Sequence, residues 1–441
     1  MSDRPGFATN VIESEALAEK VVAARLENGL RVYVMPKPGY QKKYATFSTE
    51  FGSVDNTFIP AGNEDVRPVT APDGVAHFLE HKMFEEEYGN VFDRFAELGV
   101  SSNAFTNFTA TSYLFSGTEN FGQSLELLLD FVQRPYFTDA NVEKEKGIIA
   151  QEIRMYEDSA RWRVYFNLLN ALYQRHPIRI DIAGTVESIT RITKETLYLC
   201  HSAFYHPSNM ALFVVGDVPP NAVLDQVAAN QARKTFPRQG PPTRLYPDEP
   251  GGIARPRVEQ ELAVAQPLLN LGYKASVPRG EGRDLLRREL AVEVALDLAL
   301  GPSSSLYDDL YRDELIDERF GAEFVLESNY SHLIIGGDTK DPDALQERLL
   351  DGLTMAARRG IDRDGFERLR RKLAGQALAR FNSLEFIAHN FLAYLFRGID
   401  LFDYLPVLDE LKPEDAETTL RELTREDRHA VSIIRPRSEK A

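Results

Sequence analysis

The stretch APDGVAHFLEHKMFEEE, residues 71–87, decides how the chain is read. It carries two of only eight histidines in 441 residues, and they stand four apart with Glu80 just before the second. Val75, Leu79 and Met83 recur every four residues and predict an amphipathic helix with an apolar stripe. His77, Glu80 and His81 then sit at i, i+3 and i+4, on another face of that helix. Either this is a solvated polar face, or the two imidazoles hold a metal ion. Zinc suits the second reading, because it takes nitrogen and oxygen ligands and a catalytic site keeps one position for water. Histidine and carboxylate ligands also accept cobalt or manganese.

Two histidines leave one protein ligand to find. Glu145 and Glu152 are seven residues apart in a later helical stretch, VEKEKGIIAQEIRMYEDS, and so share one face. Ile148, Ile149, Ile153 and Met155 surround them with apolar surface. Acids facing a core are costly unless paired or bound to a cation. One of the two is a candidate third ligand; the other is a candidate partner that hydrogen-bonds a ligating histidine.

Working outward, NGLRVYVMPK (28–37) and YATFSTEFGSV (44–54) read as strands, as does the Thr- and aromatic-rich NAFTNFTATSYLFSG (103–117). Helices are expected at 121–134 and 141–173, then a buried strand in NMALFVVGDV. The second half repeats the plan. QPLLNLGYKAS reads as a strand, helices follow at 283–300 and 303–315, a strand pair lies near 321–337, and HAVSIIRP closes. The helices starting at Val142 and Phe366 align without a gap, matching Glu143 with Glu367, Ala150 with Ala374 and Ser159 with Ser383. The reading is α+β with two homologous domains, each a mostly antiparallel sheet packed against helices. The domains are placed at 1–236 and 258–441, joined by a Pro/Gly-rich linker at 237–257.

Composition narrows the function. The net charge of −16 argues against nucleic acid, whose phosphates need a basic face. A single cysteine, Cys200, allows neither an intrachain disulfide nor a cysteine-based zinc site. The opening MSDRPGFATNVIESEALAEK mixes charges where a signal peptide needs an apolar run, and ELAVEVALDLALG is interrupted by Glu293 and Asp297. A cytoplasmic protein with no membrane partner is expected.

These motifs carry a resemblance. GVAHFLEH is similar to the inverted zinc-binding motif of the pitrilysin family, which contains insulin-degrading enzyme and mitochondrial processing peptidase. ENGLRVYVMPKP, NAFTNFTATSYLF, EKGIIAQEIRMYED and YHPSNMALFVVGDV resemble further family segments, in the right order. The resemblance implies one Zn2+ per chain held by His77, His81 and Glu152. It implies Glu80 as general base, Glu145 as the carboxylate orienting a ligating histidine, and Asn103, Ala104 and Phe105 as a substrate-binding edge strand. Gln376 stands where the second copy would need Glu152, so that copy is expected to hold no zinc. The fold implied is half of a clamshell, and the activity implied is hydrolysis of peptides or unfolded polypeptides in an enclosed chamber.

Two departures qualify the resemblance. Self-sufficient members carry an Arg and a Tyr seven apart in the second domain, and SSLYDDLYRDELIDERF puts Tyr311 where that Arg belongs. A homologous partner subunit is therefore expected, a heterodimer before a homodimer. KMFEEEYGN also replaces the family's common MLFKGT after the motif. The alternative to an enzyme is a non-catalytic scaffold or core-type subunit of a larger complex, against which the complete ligand set speaks.

Overall fold

A computed structural model of the chain describes residues 7–62, 67–277, 280, 282–425 and 428–437. Residues 1–6 of the opening stretch lie outside the described residues. Two compact units emerge. One comprises residues up to Ile153, Asp181–Tyr246 and Leu378–Phe396; the other comprises Arg154–Ile180, Pro247–Ala377 and the residues from Arg397 onward.

The first unit holds a seven-stranded sheet: β1 (Phe7–Ser14), β2 (Glu19–Leu26), β3 (Arg31–Pro36), β4 (Lys43–Thr49), β5 (Ser101–Thr106), β6 (Thr111–Gly117) and β7 (Met210–Gly216). The order is β1-β2-β3-β7-β4-β6-β5, with β3 and β7 parallel and every other pair antiparallel. The second sheet contains β8 (Arg257–Leu262), β9 (Leu268–Lys274), β10 (Gly321–Leu326), β11 (Ser331–Asp338) and β12 (His429–Pro436). Its order is β8-β12-β9-β11-β10, again with one parallel pair, β8 with β12. If the hairpin partners β1 and β2 are set aside, both sheets follow one strand order. The duplication expected from sequence is therefore a duplication of topology.

The long helix α2 (Asp139–Asp158) is followed by α3 (Ala160–Leu172), and their counterparts are Arg363–Arg380 and α4 (Leu384–Phe396). The 141–173 stretch is thus two helices. They break at Ser159, whose ψ of 111° is extended. Each second helix packs on the sheet of the other half of the sequence. Val164 of α3 packs with Leu262, Leu268 and Ile434 of the second sheet. Phe391 of α4 lies against Tyr33 and Phe213 of the first, at ring separations of 4.9 and 4.5 Å.

The stretch 103–117 is a hairpin rather than one strand. Asn107 Oδ1 accepts from the N–H groups of Thr109 (2.9 Å) and Ala110 (2.7 Å), and this side-chain turn reverses the chain. β5 is the terminal strand of its sheet. The first unit's core lies on one face of that sheet. Val32, Val34, Phe47, Phe115, Leu212 and Val214 pack there with Val75, Phe78 and Leu79 of α1 (Val75–Met83) and with Ile149 and Ile153 of α2.

Candidate metal centre

Helix α1 is seated by a close backbone approach. Gly74, its N-cap, has φ +87°, and a Cβ there would lie 2.3 Å from the Ala183 carbonyl oxygen. Across the same contact Gly184 has φ +75°, and a Cβ on it would lie 2.4 Å from Asp73 O. Ser188 Oγ donates to that same Asp73 carbonyl at 2.8 Å. Val75, Ala76, Phe78, Leu79 and Met83 are buried, so the expected stripe faces the core and the opposite side of the turn presents His77, Glu80 and His81.

Helix α2 brings both acids to them. His77 Nε2 lies 3.7 Å from Glu152 Oε1, and His81 Nε2 lies 3.6 Å from Glu152 Oε2. One ligand atom from each of the three residues falls within 4.8 Å of the others, the separation a single ion spans. Glu145 takes the remaining imidazole nitrogen: His81 Nδ1 and Glu145 Oε1 are 3.0 Å apart. A carboxylate on Nδ1 fixes the tautomer that leaves Nε2 free to ligate. Of the apolar residues around the pair, Ile149 and Ile153 enter the core, whereas Ile148 and Met155 are exposed. They lie on the solvent side of the two glutamates, which stand at the border of the buried stripe.

The electrostatics suit a cation. Burial, helped by the neighbouring His81, lowers His77 to about 3, so its imidazole is neutral and presents a lone pair. Burial lowers His81 too, but the Glu145 hydrogen bond and the charges of Glu145, Glu80 and Glu152 outweigh it and raise the pKa. Burial raises Glu80 and outweighs the lowering from Thr106 and His81. The two imidazoles and the carboxylate that converge here match the nitrogen and oxygen set that zinc takes. Glu80 stands beside this group and outside it.

Thr106, at the end of β5, was not among the sequence candidates. Its Oγ1 donates to Glu80 Oε2 at 2.6 Å and lies 3.2 Å from Thr111 Oγ1, which donates to Phe51 O at 2.8 Å. The other β5 candidates split by face. Ala104 pairs with buried Tyr113, while Asn103 and Phe105 pair with Leu114 and Ser112 on the opposite face. The Ala104 N–H is taken by Asn103 Oδ1 at 2.9 Å. Phe105 is half-buried and stacks on His389 of α4 at 5.1 Å, and His389 Nε2 is 2.6 Å from Tyr44 Oη. His389 shows no ligand spacing in the sequence; only the packing of α4 brings it to β5. Cys200 is buried and its thiol is pushed up to about 12, in keeping with a filler rather than a nucleophile.

In the second unit Tyr311 is an exposed residue of the helix Ser305–Arg312. Arg312 pairs with Asp308 and Asp309, and Arg319 pairs with Asp317 and Asp338.

Comparison with known proteins agrees with this geometry. The family described as "Insulinase (Peptidase family M16)" matches residues 70–186, and "Peptidase M16 inactive domain" matches residues 191–373. The chain is 45% identical over 427 residues to "Uncharacterized zinc protease YmfH" of Bacillus subtilis (strain 168), covering 97% of this chain and 99% of the relative. The crystal structure of a putative M16-like peptidase from Alicyclobacillus acidocaldarius superposes with a TM-score of 0.90 at 41% identity, covering 99% of this chain and 100% of that one. Pitrilysin shares the fold, with a TM-score of 0.76 at 18% identity; the match covers 98% of this chain and 47% of that one.

Proposed function

The chain belongs to peptidase family M16 as a zinc protease, and on that premise we propose that it is a zinc-dependent metalloendopeptidase. It hydrolyses peptides or unfolded polypeptides in an enclosed chamber completed by a homologous subunit. The observation that carries this reading is the convergence of His77, His81 and Glu152, with Glu80 set beside them and held by Thr106.

In this reading His77, His81 and Glu152 hold the ion, and Glu145 orients His81. Zinc, when bound, supplies Lewis acidity for the attacking water and the carbonyl oxygen. Glu80 takes a proton as water oxygen attacks the peptide carbonyl carbon. It returns that proton to the amine nitrogen as the C–N bond breaks. A pKa raised by burial strengthens Glu80 as a base. Substrate lies along β5 as an added strand, with the outward-facing N–H and C=O of Ala104 as its main-chain partners. Asn103 and Phe105 contact its side chains.

The partner is supported by what the second unit lacks. Tyr311 stands where an arginine is expected, and both nearby arginines are spent in ion pairs. The chain also spans about half of the pitrilysin chain whose fold it shares. The test is cleavage of a mixed peptide pool, read by mass spectrometry, with the zinc-loaded chain and its Glu80→Gln variant. Each is assayed alone and with a co-purified homologue that carries the Arg and Tyr. Expected is slow cleavage by the chain alone, acceleration by the homologue, and none with Glu80→Gln. Full activity of the isolated chain on protein substrates would refute the partner; an active Glu80→Gln would refute the mechanism.

A further inference from the structure

Lys82 occupies a position that the helix pattern reserves for the core. It follows Val75 by seven residues, Phe78 by four and Leu79 by three, and all three are buried. The lysine side chain is itself wholly buried, at 0% exposure. An ammonium at that depth is unfavourable unless it is paired. Two carboxylates pair it. Lys82 Nζ donates to Glu85, and it lies 3.6 Å from Glu145 Oε2.

The two oxygens of Glu145 are thereby divided. Oε2 faces the Lys82 ammonium, and Oε1 faces His81 Nδ1 at 3.0 Å. A carboxylate held at one oxygen can still swing about its terminal bond. Held at both, by groups on either side, it has one plane. Glu145 is 7% exposed, so water offers little to replace either partner.

We propose that Lys82 is a positioning residue of the metal centre, fixing through Glu145 the orientation of the His81 imidazole and hence the affinity of the site for zinc. The inference rests on the metal-site reading above. It belongs to this chain's own chemistry, because Lys82 and Glu85 both lie in KMFEEEYGN, the segment that departs from the common MLFKGT. A purely space-filling lysine would be replaced at no cost to the metal by methionine, which has similar length. A lysine that pins Glu145 would not.

The experiment compares the full-length chain with Lys82→Met, Lys82→Arg, Glu145→Gln and the Lys82→Met/Glu145→Gln pair. The readouts are the zinc dissociation constant, by competition with a chromophoric chelator, and the visible spectrum of the cobalt-loaded protein. Loss of a group that orients a ligand weakens metal binding by about 10–100-fold. We expect Lys82→Met to weaken zinc binding by about tenfold and to shift the cobalt bands. Lys82→Arg should restore most of the affinity, and the pair should bind no more weakly than Glu145→Gln alone. If Lys82→Met does not fold, the same comparison is made with Lys82→Gln, which keeps a donor and lacks the charge. Wild-type affinity and an unshifted cobalt spectrum in the neutral variant would overturn the proposal, as would additive losses in the pair. A wild-type chain that binds no zinc would overturn the metal reading beneath it, a distinguishable result.

Discussion

Glu80 and Thr106 show how much a single hydrogen bond is asked to do. A half-buried base needs a fixed direction, and the 2.6 Å contact from Thr106 Oγ1 supplies it. Thr106→Val should lower kcat by roughly tenfold, the weight of a hydrogen bond to a charged group, with zinc stoichiometry unchanged. Equal kcat in the variant would remove Thr106 from the account. Glu80→Gln should cost at least about 10²–10⁴-fold in kcat/KM while the ion stays bound. His77, Glu80, His81 and the two acids of α2 were legible in the sequence, because helical spacing alone puts each set on one face. Which of Glu145 and Glu152 ligates was not legible from spacing; only the resemblance distinguished them. Thr106, Lys82 and His389 were hidden for another reason. Their partners lie 26, 63 and 345 residues away along the chain, at Glu80, Glu145 and Tyr44, and no local period reports such contacts.

At the scale of elements, β5 carries the prediction that separates binding from chemistry. The Ala104 N–H points away from the β6 ladder and is covered by Asn103 Oδ1. Proline is tolerated on such an edge, because the missing N–H breaks no ladder bond. Ala104→Pro should therefore raise KM several-fold with zinc affinity and melting temperature nearly unchanged. A variant with wild-type KM would show that substrate does not add to this edge. The hairpin that ends β5 hangs on Asn107, so Asn107→Ala should lower stability by about 1 kcal/mol in urea unfolding. Strand propensity in 103–117 masked this turn, because Thr and Phe on both sides of Asn107 favour extended chain. The hairpin β1–β2 and the break at Ser159 went unread as well. No run of residues announces that α3 and α4 pack on sheets from the opposite halves of the sequence. We propose the 1–236 and 258–441 division as the two duplicated stretches of chain, onto which that packing is superimposed.

For the whole molecule, acid sensitivity follows from buried histidines in both units. Burial lowers His176 and His201 to about 4 and His332 to about 3. Their unfolded pKa is about 6.5, so between pH 6.5 and 4 the unfolded chain binds more protons and stability falls as pH falls. Asp55 works in the other direction, since burial raises it to about 6 against the lowering from Arg244, and Glu80 is raised likewise, but His77, lowered to about 3, adds to the three histidines. The urea midpoint should drop between pH 7 and pH 5, and His201→Gln should flatten that slope. An unchanged or rising midpoint would contradict the burial of these rings. The duplication was legible because one succession of strands and helices recurs in both halves; the order of the strands within each sheet was not. The short MLFKGT-equivalent segment and the second unit's arginines were legible only as departures. No described helix is long and apolar enough to cross a membrane.

The most direct test of the central claim is the zinc content of the purified chain beside its Glu152→Gln, His81→Ala and Glu80→Gln variants, measured by elemental mass spectrometry after dialysis. The account predicts about one zinc per chain in the wild type and in Glu80→Gln, and a large loss in the other two. Full zinc in Glu152→Gln and His81→Ala, or loss of zinc in Glu80→Gln, would contradict it.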